Sequence, residues 1–438
     1  MSIDVSLRQR NSLGLTLAQS IDLTSSTFII KAFFLTSAAM TLIQLALARV
    51  GIIGFAIIPF MNFATIGSVA FLQVRYLTKI GGSQRLGLLG VLYSIWVGWT
   101  LCAALIGIAA QNSLPHIVAW VAYSLSGIIT YSIVTKLEEN DSSPDLLINN
   151  TRIALFVLLM TLLSVTPIAQ LYDKPFVFAF SVYLIFSGGT LIQKLVGVII
   201  LICSFADISD EYGLRFGGNR ASYIAVYVVL IALLFKLKRY LLFVAAIALP
   251  FFLYSTALTL DQNTIDGQSR NVREAIMLAR GDSLDNNVAT QQRLDEVELV
   301  FEDIDRNGWL FYLTGMGLGR TLNMSSLRDS SPGDSAISGS EAVNNVHFLP
   351  VALIHKYGII GLFLHVSILV VLIFRFVYIR SDIVKRRVLF AFLCYFSIVA
   401  YGMPASNFYI ADVFLGYCLA VADAAARRHN RGSSSLPI

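Results

Sequence analysis

Residues 175–206 read PFVFAFSVYLIFSGGTLIQKLVGVIILICSFA, and the number of membrane crossings in this stretch fixes the topology of the whole chain. As one continuous helix it would be about 48 Å long, at a rise of about 1.5 Å per residue. A bilayer's hydrocarbon core is only about 30 Å thick. Ser187-Gly188-Gly189 near the middle is the natural break, because glycine weakens a helix interior. The stretch is therefore expected to form two short helices.

The rest of the chain has the same character. Of its 438 residues 56% are hydrophobic and 13% charged, and mean hydropathy is +0.72. A soluble chain of this length cannot hide so much apolar surface. The apolar runs are continuous rather than alternating, which argues against a β-barrel. Further candidate spans are 28–48, 50–72, 86–110, 116–135, 153–172, 221–235, 240–257, 359–379, 388–403 and 408–426. The net charge of +5 is no nucleic-acid signature, because the basic residues flank hydrophobic runs. Cys102, Cys203, Cys394 and Cys418 lie inside such runs and form neither a disulfide framework nor a zinc spacing. The N-terminal region lacks a short apolar core with a cleavage site, so the first span reads as retained.

Basic loops mark the cytoplasmic side. They are Arg75/Lys79/Arg85, Lys236/Lys238/Arg239, Arg380/Lys385/Arg386/Arg387 and Arg427/Arg428/Arg431. Three crossings after Arg75 put Asp173–Lys174 outside, and one crossing back from Lys236 puts 207–220 outside as well. The stretch 175–206 must then cross an even number of times, which the break allows. The expectation is an all-α polytopic membrane protein of about 12 transmembrane helices (11–12), with one large periplasmic loop. The N-terminus (1–27) is cytoplasmic, spans one to nine occupy 28–257, and the loop occupies 258–346. Three more spans occupy 347–426, and the tail 427–438 is cytoplasmic.

The loop's cations are all arginine: Arg270, Arg273, Arg280, Arg293, Arg306, Arg320 and Arg328. The planar guanidinium fork matches phosphate oxygens and keeps its charge on burial. Acidic residues are twice as numerous, so most of these arginines are expected to be solvated or paired locally. Two amphipathic helices are expected, at 268–279 and at 290–305. The second would place Leu294, Val297, Phe301 and Ile304 on one face, with Arg293 and Glu296 within reach of each other. Asp303-Ile304-Asp305 matches a D-x-D metal motif, but on a helix its carboxylates diverge by about 200°. Asp261-Gln262-Asn263 fails as a calcium loop, because Ile265 and Val272 fall at ligand positions. Gly315-Met316-Gly317-Leu318-Gly319 lacks the strand–helix setting of a dinucleotide site and reads as a close-packed turn.

The following segment runs Asn344-Asn345-Val346-His347-Phe348-Leu349-Pro350, then Leu353-Ile354-His355-Lys356-Tyr357-Gly358-Ile359-Ile360-Gly361-Leu362. A polar cluster ending in histidine meets a short apolar helix, a glycine-bounded break and a full span. This places His347 at the outer membrane boundary, where ionisable side chains are costly and often functional.

Here the chain resembles the O-antigen polymerase and O-antigen ligase superfamily of bacterial envelope polysaccharide assembly. That pattern has a G-x-G-x-G, a histidine followed by leucines, and a closing G-I-x-G-L before a span. Gly315–Gly319, His347, Leu349, Leu353 and Gly358–Leu362 match it in order. Arg215-Phe216-Gly217-Gly218-Asn219 resembles the family's arginine element before a helix, and Arg293 its loop arginine. Phe348 stands where many members have asparagine, and no S-R-G element precedes the loop. The match covers roughly the second half of the chain.

The resemblance implies a GT-C-like glycosyltransferase architecture in the bacterial inner membrane, with both termini cytoplasmic. It implies transfer of a glycan from an undecaprenyl-diphosphate carrier to a sugar hydroxyl, without metal or cofactor. His347 would be the base, and Arg215 and Arg293 would bind the diphosphate. Arg220, Arg273 and Arg320 are secondary candidates. His355 and His365 read as structural. Partners would be the carrier-linked oligosaccharide, membrane lipids, a chain-length regulator and a flippase, with no nucleic acid. Polymerisation of repeat units is favoured over ligation to lipid A–core. A secondary transporter is the alternative from another class.

Overall fold

The computed structural model describes residues 86–140, 151–164, 174–187, 189–209, 213–216, 220–259, 288–324, 343–344, 346–379, 386–405 and 412–433. The expected spans at 28–48 and 50–72, the expected helix at 268–279 and Arg273 lie outside them.

The described chain is predominantly helical. In order it forms α1 (Leu88–Ala109), α2 (Leu114–Asn140), α3 (Thr151–Ser164), α4 (Lys174–Ser187) and α5 (Leu191–Ser204). Next come β1 (Ala206–Ser209), β2 (Gly213–Phe216), α6 (Arg220–Lys236) and α7 (Tyr240–Thr259). The chain continues with α8 (Val288–Asn307), α9 (Leu310–Thr314), α10 (Leu349–Tyr378), α11 (Arg386–Ala405) and α12 (Asp412–Ser433). Leu88–Ala109, Leu114–Lys136 and Leu349–Tyr378 are long and apolar enough to cross a membrane. Their outward faces carry large exposed side chains such as Ile95, Leu105, Val118 and Phe363. Exposure on that scale suits hydrocarbon rather than water, so the chain is a membrane-associated, largely α-helical protein.

The break inside 175–206 is present. Helix α4 ends at Ser187 and α5 starts at Leu191, its first turn closed by a capping box between Thr190 and Gln193. Each of the two helices has 14 residues, about 21 Å of rise, and they pack against each other. One departure from an all-helical chain follows. The connection expected at 207–220 contains an antiparallel ribbon in which Asp207 lies opposite Arg215 and Ala206 opposite Phe216.

Helix ends sort onto two poles. At one pole Asp423 of α12 is fully buried. It accepts hydrogen bonds from Arg375 Nη1 at the end of α10 (2.5 Å), the Tyr131 hydroxyl of α2 (2.7 Å) and the Gly87 amide before α1 (3.1 Å). Arg427 stands one turn on at 3.9 Å. Lys236, closing α6, donates to the carbonyls of Phe376 and Ile379 at the end of α10. A cation at a helix C-terminus also complements its dipole. At the opposite pole the end of α1 and the start of α2 meet the segment 315–319 and the beginning of α10. Lys236 and Arg427, both from the basic loops, lie at the same pole.

A charge left buried without its partner is strongly destabilising. Asp423→Ala, which strands Arg375, is expected to lower stability by about 3–5 kcal/mol. Thermal unfolding of the detergent-solubilised protein checks this, and an unchanged midpoint would contradict it.

Candidate functional site

Helix α10 is two helices joined at Gly358, whose φ of 68° and ψ of −175° interrupt the helical path. An L side chain there would be strained and would run into the Leu313 carbonyl. The break frees backbone carbonyls that must find donors in apolar surroundings. The Tyr357 carbonyl accepts from the Trp99 indole (2.8 Å). The His355 carbonyl accepts from the Met316 amide (2.7 Å).

The second donor belongs to the glycine-alternating turn, which is packed as tightly as its sequence suggests. The Leu318 amide donates to the Ala103 carbonyl of α1 (2.9 Å) and Ser113 to the Gly319 carbonyl (3.1 Å). Asn112 Nδ2 donates to both the Met316 and Leu318 carbonyls (3.0 Å each). At Gly317, φ is +82° and a Cβ would collide with the backbone of Gly107.

Helix α8 is docked over this turn. Val300 and Ile304 are buried with Met316, Leu322, Met324 and Val346, and Leu322 and Val343 pair through reciprocal backbone hydrogen bonds. The expected face is largely kept, with Ile304 buried and Val297 and Phe301 packed against the same cluster, and it departs at one end. Leu294 is half-exposed, whereas Glu296 is buried. Glu296, Val300, Asp303 and Ile304 follow helical spacing, so polar groups share the inward stripe. Pattern reading by hydrophobicity alone passes over such residues.

Both carboxylates on that stripe bind a histidine. Glu296 accepts from the His347 amide through Oε2 (2.9 Å) and holds His347 Nδ1 through Oε1 (2.7 Å). Two turns on, Asp303 Oδ2 holds His355 Nε2 (3.0 Å) and accepts from Arg320 Nε (2.9 Å). Arg320 Nη2 completes a bidentate pair at Oδ1. Burial, the largest influence on Asp303, pushes its carboxyl upward. The hydrogen bonds from His355 and Arg320, with their charges, outweigh it and hold the group well below the usual carboxylate range. The Asp303 bond in turn raises Arg320.

The two histidines differ in access. The His355 side chain is 1% exposed and that of His347 34%. An ionised carboxylate only accepts, so Glu296 draws the proton of His347 to Nδ1 and leaves Nε2 as the acceptor. Arg293 lies one turn before Glu296 on the same helix, is partly exposed and makes no ion pair among the described residues. The expected Arg293–Glu296 contact is replaced by the Glu296–His347 pair. Asp303 and Asp305 do diverge: Asp305 accepts from the Tyr312 hydroxyl instead (2.8 Å).

The sequence-derived residues are thus partly assembled. His347 and Arg293 share one cluster through α8. Arg320 is spent on Asp303. Arg215 sits in β2 and Arg220 opens α6, for both of which only the backbone is described. Helix α6 ends at Lys236 on the Asp423 pole, so these two arginines lie toward the loop pole. Sequence reading named Glu296 only as a neighbour of Arg293 and Asp303 only within a D-x-D motif, and assigned no role to the buried Lys356, whose ammonium lies 4.1 Å from the Trp120 ring centre. The usable signal was two acids seven apart on α8 facing two histidines eight apart.

Comparison with known protein families, with curated proteins and with solved structures returns no match for this chain.

Gly317→Ala adds a positive-φ penalty of about 1–2 kcal/mol and a backbone collision that separates the turn from α1. The variant is expected to unfold at lower temperature and to expose the 288–324 region to protease first. Wild-type proteolysis kinetics would count against this packing.

Proposed function

We propose that this chain polymerises undecaprenyl-diphosphate-linked oligosaccharide repeat units at the outer face of the bacterial inner membrane. In this reading it is a metal-independent glycosyltransferase of about 12 spans with a GT-C-like architecture and both termini in the cytoplasm. The observation that carries the proposal is the Glu296–His347 pair, with a partly exposed imidazole and a guanidinium one turn away.

The chemistry follows from those groups. His347 Nε2 takes the proton of the acceptor sugar hydroxyl as its oxygen attacks the donor's anomeric carbon. The bond from that carbon to the diphosphate oxygen breaks, and the electron pair leaves with the lipid diphosphate. Guanidinium groups stabilise that developing charge, Arg293 from α8 and Arg215 from the ribbon. Arg220 and Arg273 are secondary, and Arg320 positions α8 through Asp303 rather than meeting phosphate. Glu296 orients the imidazole and stabilises it once protonated, as a carboxylate does behind a histidine base. A chain-length regulator and a flippase are the expected partners. Ligation to lipid A–core uses the same chemistry with another acceptor. A strain lacking the protein would carry single repeat units on its core in the first case, and bare core with carrier-linked polymer in the second.

The test is reconstitution of the full-length protein in liposomes with carrier-linked repeat units, with product length read on a gel. His347→Ala and Glu296→Gln are expected to lower kcat by about 10²–10⁴-fold, with KM little changed for Glu296→Gln. Arg293→Ala is expected to weaken donor use by about 2–5 kcal/mol, and Arg293→Lys to restore part of it, because the fork is lost. No turnover by wild type, or full activity in all these variants, would defeat the proposal.

A further inference from the structure

Beyond the glycan reading and independent of it, the loop carries an apolar corner that the cluster around α8 does not cover. Trp309 is 74% exposed, Leu310 53% and Leu313 40%. Their spacing places them on one side of a helical turn. The other side of α9 is fixed, with Phe311 and Tyr312 packed on the α8 cluster. Tyr312 stacks on Phe301 (ring centres 6.2 Å apart) and its hydroxyl donates to Asp305 (2.8 Å). The outward apolar face is therefore held in place and is not a frayed end. An indole and two leucines displayed together mark a surface that is covered.

Its position identifies the cover. The Leu313 carbonyl lies against the backbone of Gly358, so the exposed corner adjoins the point where the outward stripe of α10 begins with Ile359, Phe363, Val366 and Val370. From Gly358 to the end of α10 at Tyr378 the helix rises about 30 Å, the thickness of a hydrocarbon core. The far end is marked by Arg375 and Lys236 at the charged pole. Gly358 then stands at the opposite hydrocarbon boundary. Trp309 lies at the level of the headgroups, where tryptophan collects because its ring is apolar and its N–H polar. The exposed stripe of a membrane-crossing helix thus begins where the corner's Leu313 meets it.

We propose that Trp309, Leu310 and Leu313 form an interfacial anchor seated in the lipid of the loop-side leaflet. The anchor fixes the depth of α8, and with it the Glu296–His347 pair, at headgroup level. A substrate used there would be one presented by the membrane surface.

The test uses full-length protein in phosphatidylcholine–phosphatidylglycerol liposomes containing lipids brominated near the headgroup or near the chain ends. The chain has four tryptophans, so the emission lost in Trp309→Phe isolates Trp309. That difference signal is expected to be quenched most by the shallow bromolipid, less by the deep one, and little by acrylamide in the water. A signal quenched by acrylamide and untouched by either bromolipid would place the corner in water and overturn the anchor. A signal insensitive to all three would mean that protein covers it, which overturns the anchor equally. Catalysis enters none of these readings, so failure here and failure of the glycan reading remain separate results.

Discussion

Backbone carbonyls cannot be left without partners where water is absent, and the interruption of α10 at Gly358 creates that problem at the loop-side end of a membrane-length helix. Two remote segments solve it. Trp99 of α1 reaches the Tyr357 carbonyl, and Met316 of the glycine turn reaches that of His355. The same turn is sewn to α1 and to the start of α2 through Leu318, Gly319 and Asn112. One helix break therefore ties together α1, α2, α10 and the extramembrane loop. Kinks of this kind require a specific local cause; here it is a positive-φ glycine with its freed acceptors satisfied from outside the helix.

Everything above the break inherits its placement from that clip. Helix α8 rests on the turn with Val300 and Ile304, and its two inward carboxylates meet histidines on either side of the start of α10. The lower pair, Asp303 with His355 and Arg320, is closed on itself, with every strong charge opposed by another. The upper pair, Glu296 with His347, is open on one side. Holding an imidazole by one nitrogen while leaving the other approachable takes a rigid support beneath it, because a side chain in play cannot also bear the packing. The division of labour between the two histidines follows from eight residues of sequence separation across the entry to one helix.

Much of this was legible beforehand. The break at Ser187-Gly188-Gly189 follows from length against bilayer thickness. The glycine alternation announced a close-packed turn, and the divergence of Asp303 from Asp305 followed from helical geometry. The acids on the inward face of α8 did not. The expected Val297, Phe301 and Ile304 do pack inward, but Glu296 is buried where Leu294 was expected and the half-buried Asp303 flanks them, because charge pairing with His347, His355 and Arg320 offsets their desolvation. The histidine partners of those acids lie 51 and 52 residues away in sequence, beyond a local pattern. The ribbon at Asp207–Arg215 was hidden for a related reason, since four-residue strands carry too little alternation to register. Asp423 was overlooked because one acid in a span looks like an exception until Arg375, Tyr131 and Gly87 are seen around it.

The contrast between the poles bears on what the loop side can do. At the Asp423 pole two cations have fixed destinations: Arg375 the Asp423 carboxylate, Lys236 two helix-terminal carbonyls. On the loop side Arg320 is likewise consumed, whereas Arg293 stands partly exposed one turn before the histidine-bound Glu296, with no ion pair among the described residues. A guanidinium keeps its charge in any surroundings, so Arg293 and Arg320 differ in their partners and not in their ionisation. Carboxylates outnumber arginines in the loop, and the decisive quantity is therefore not net charge but which cations the fold has left uncommitted. Among the described residues of the loop, Arg293 and the Glu296-bound His347 are the groups on which the proposed reaction would rest.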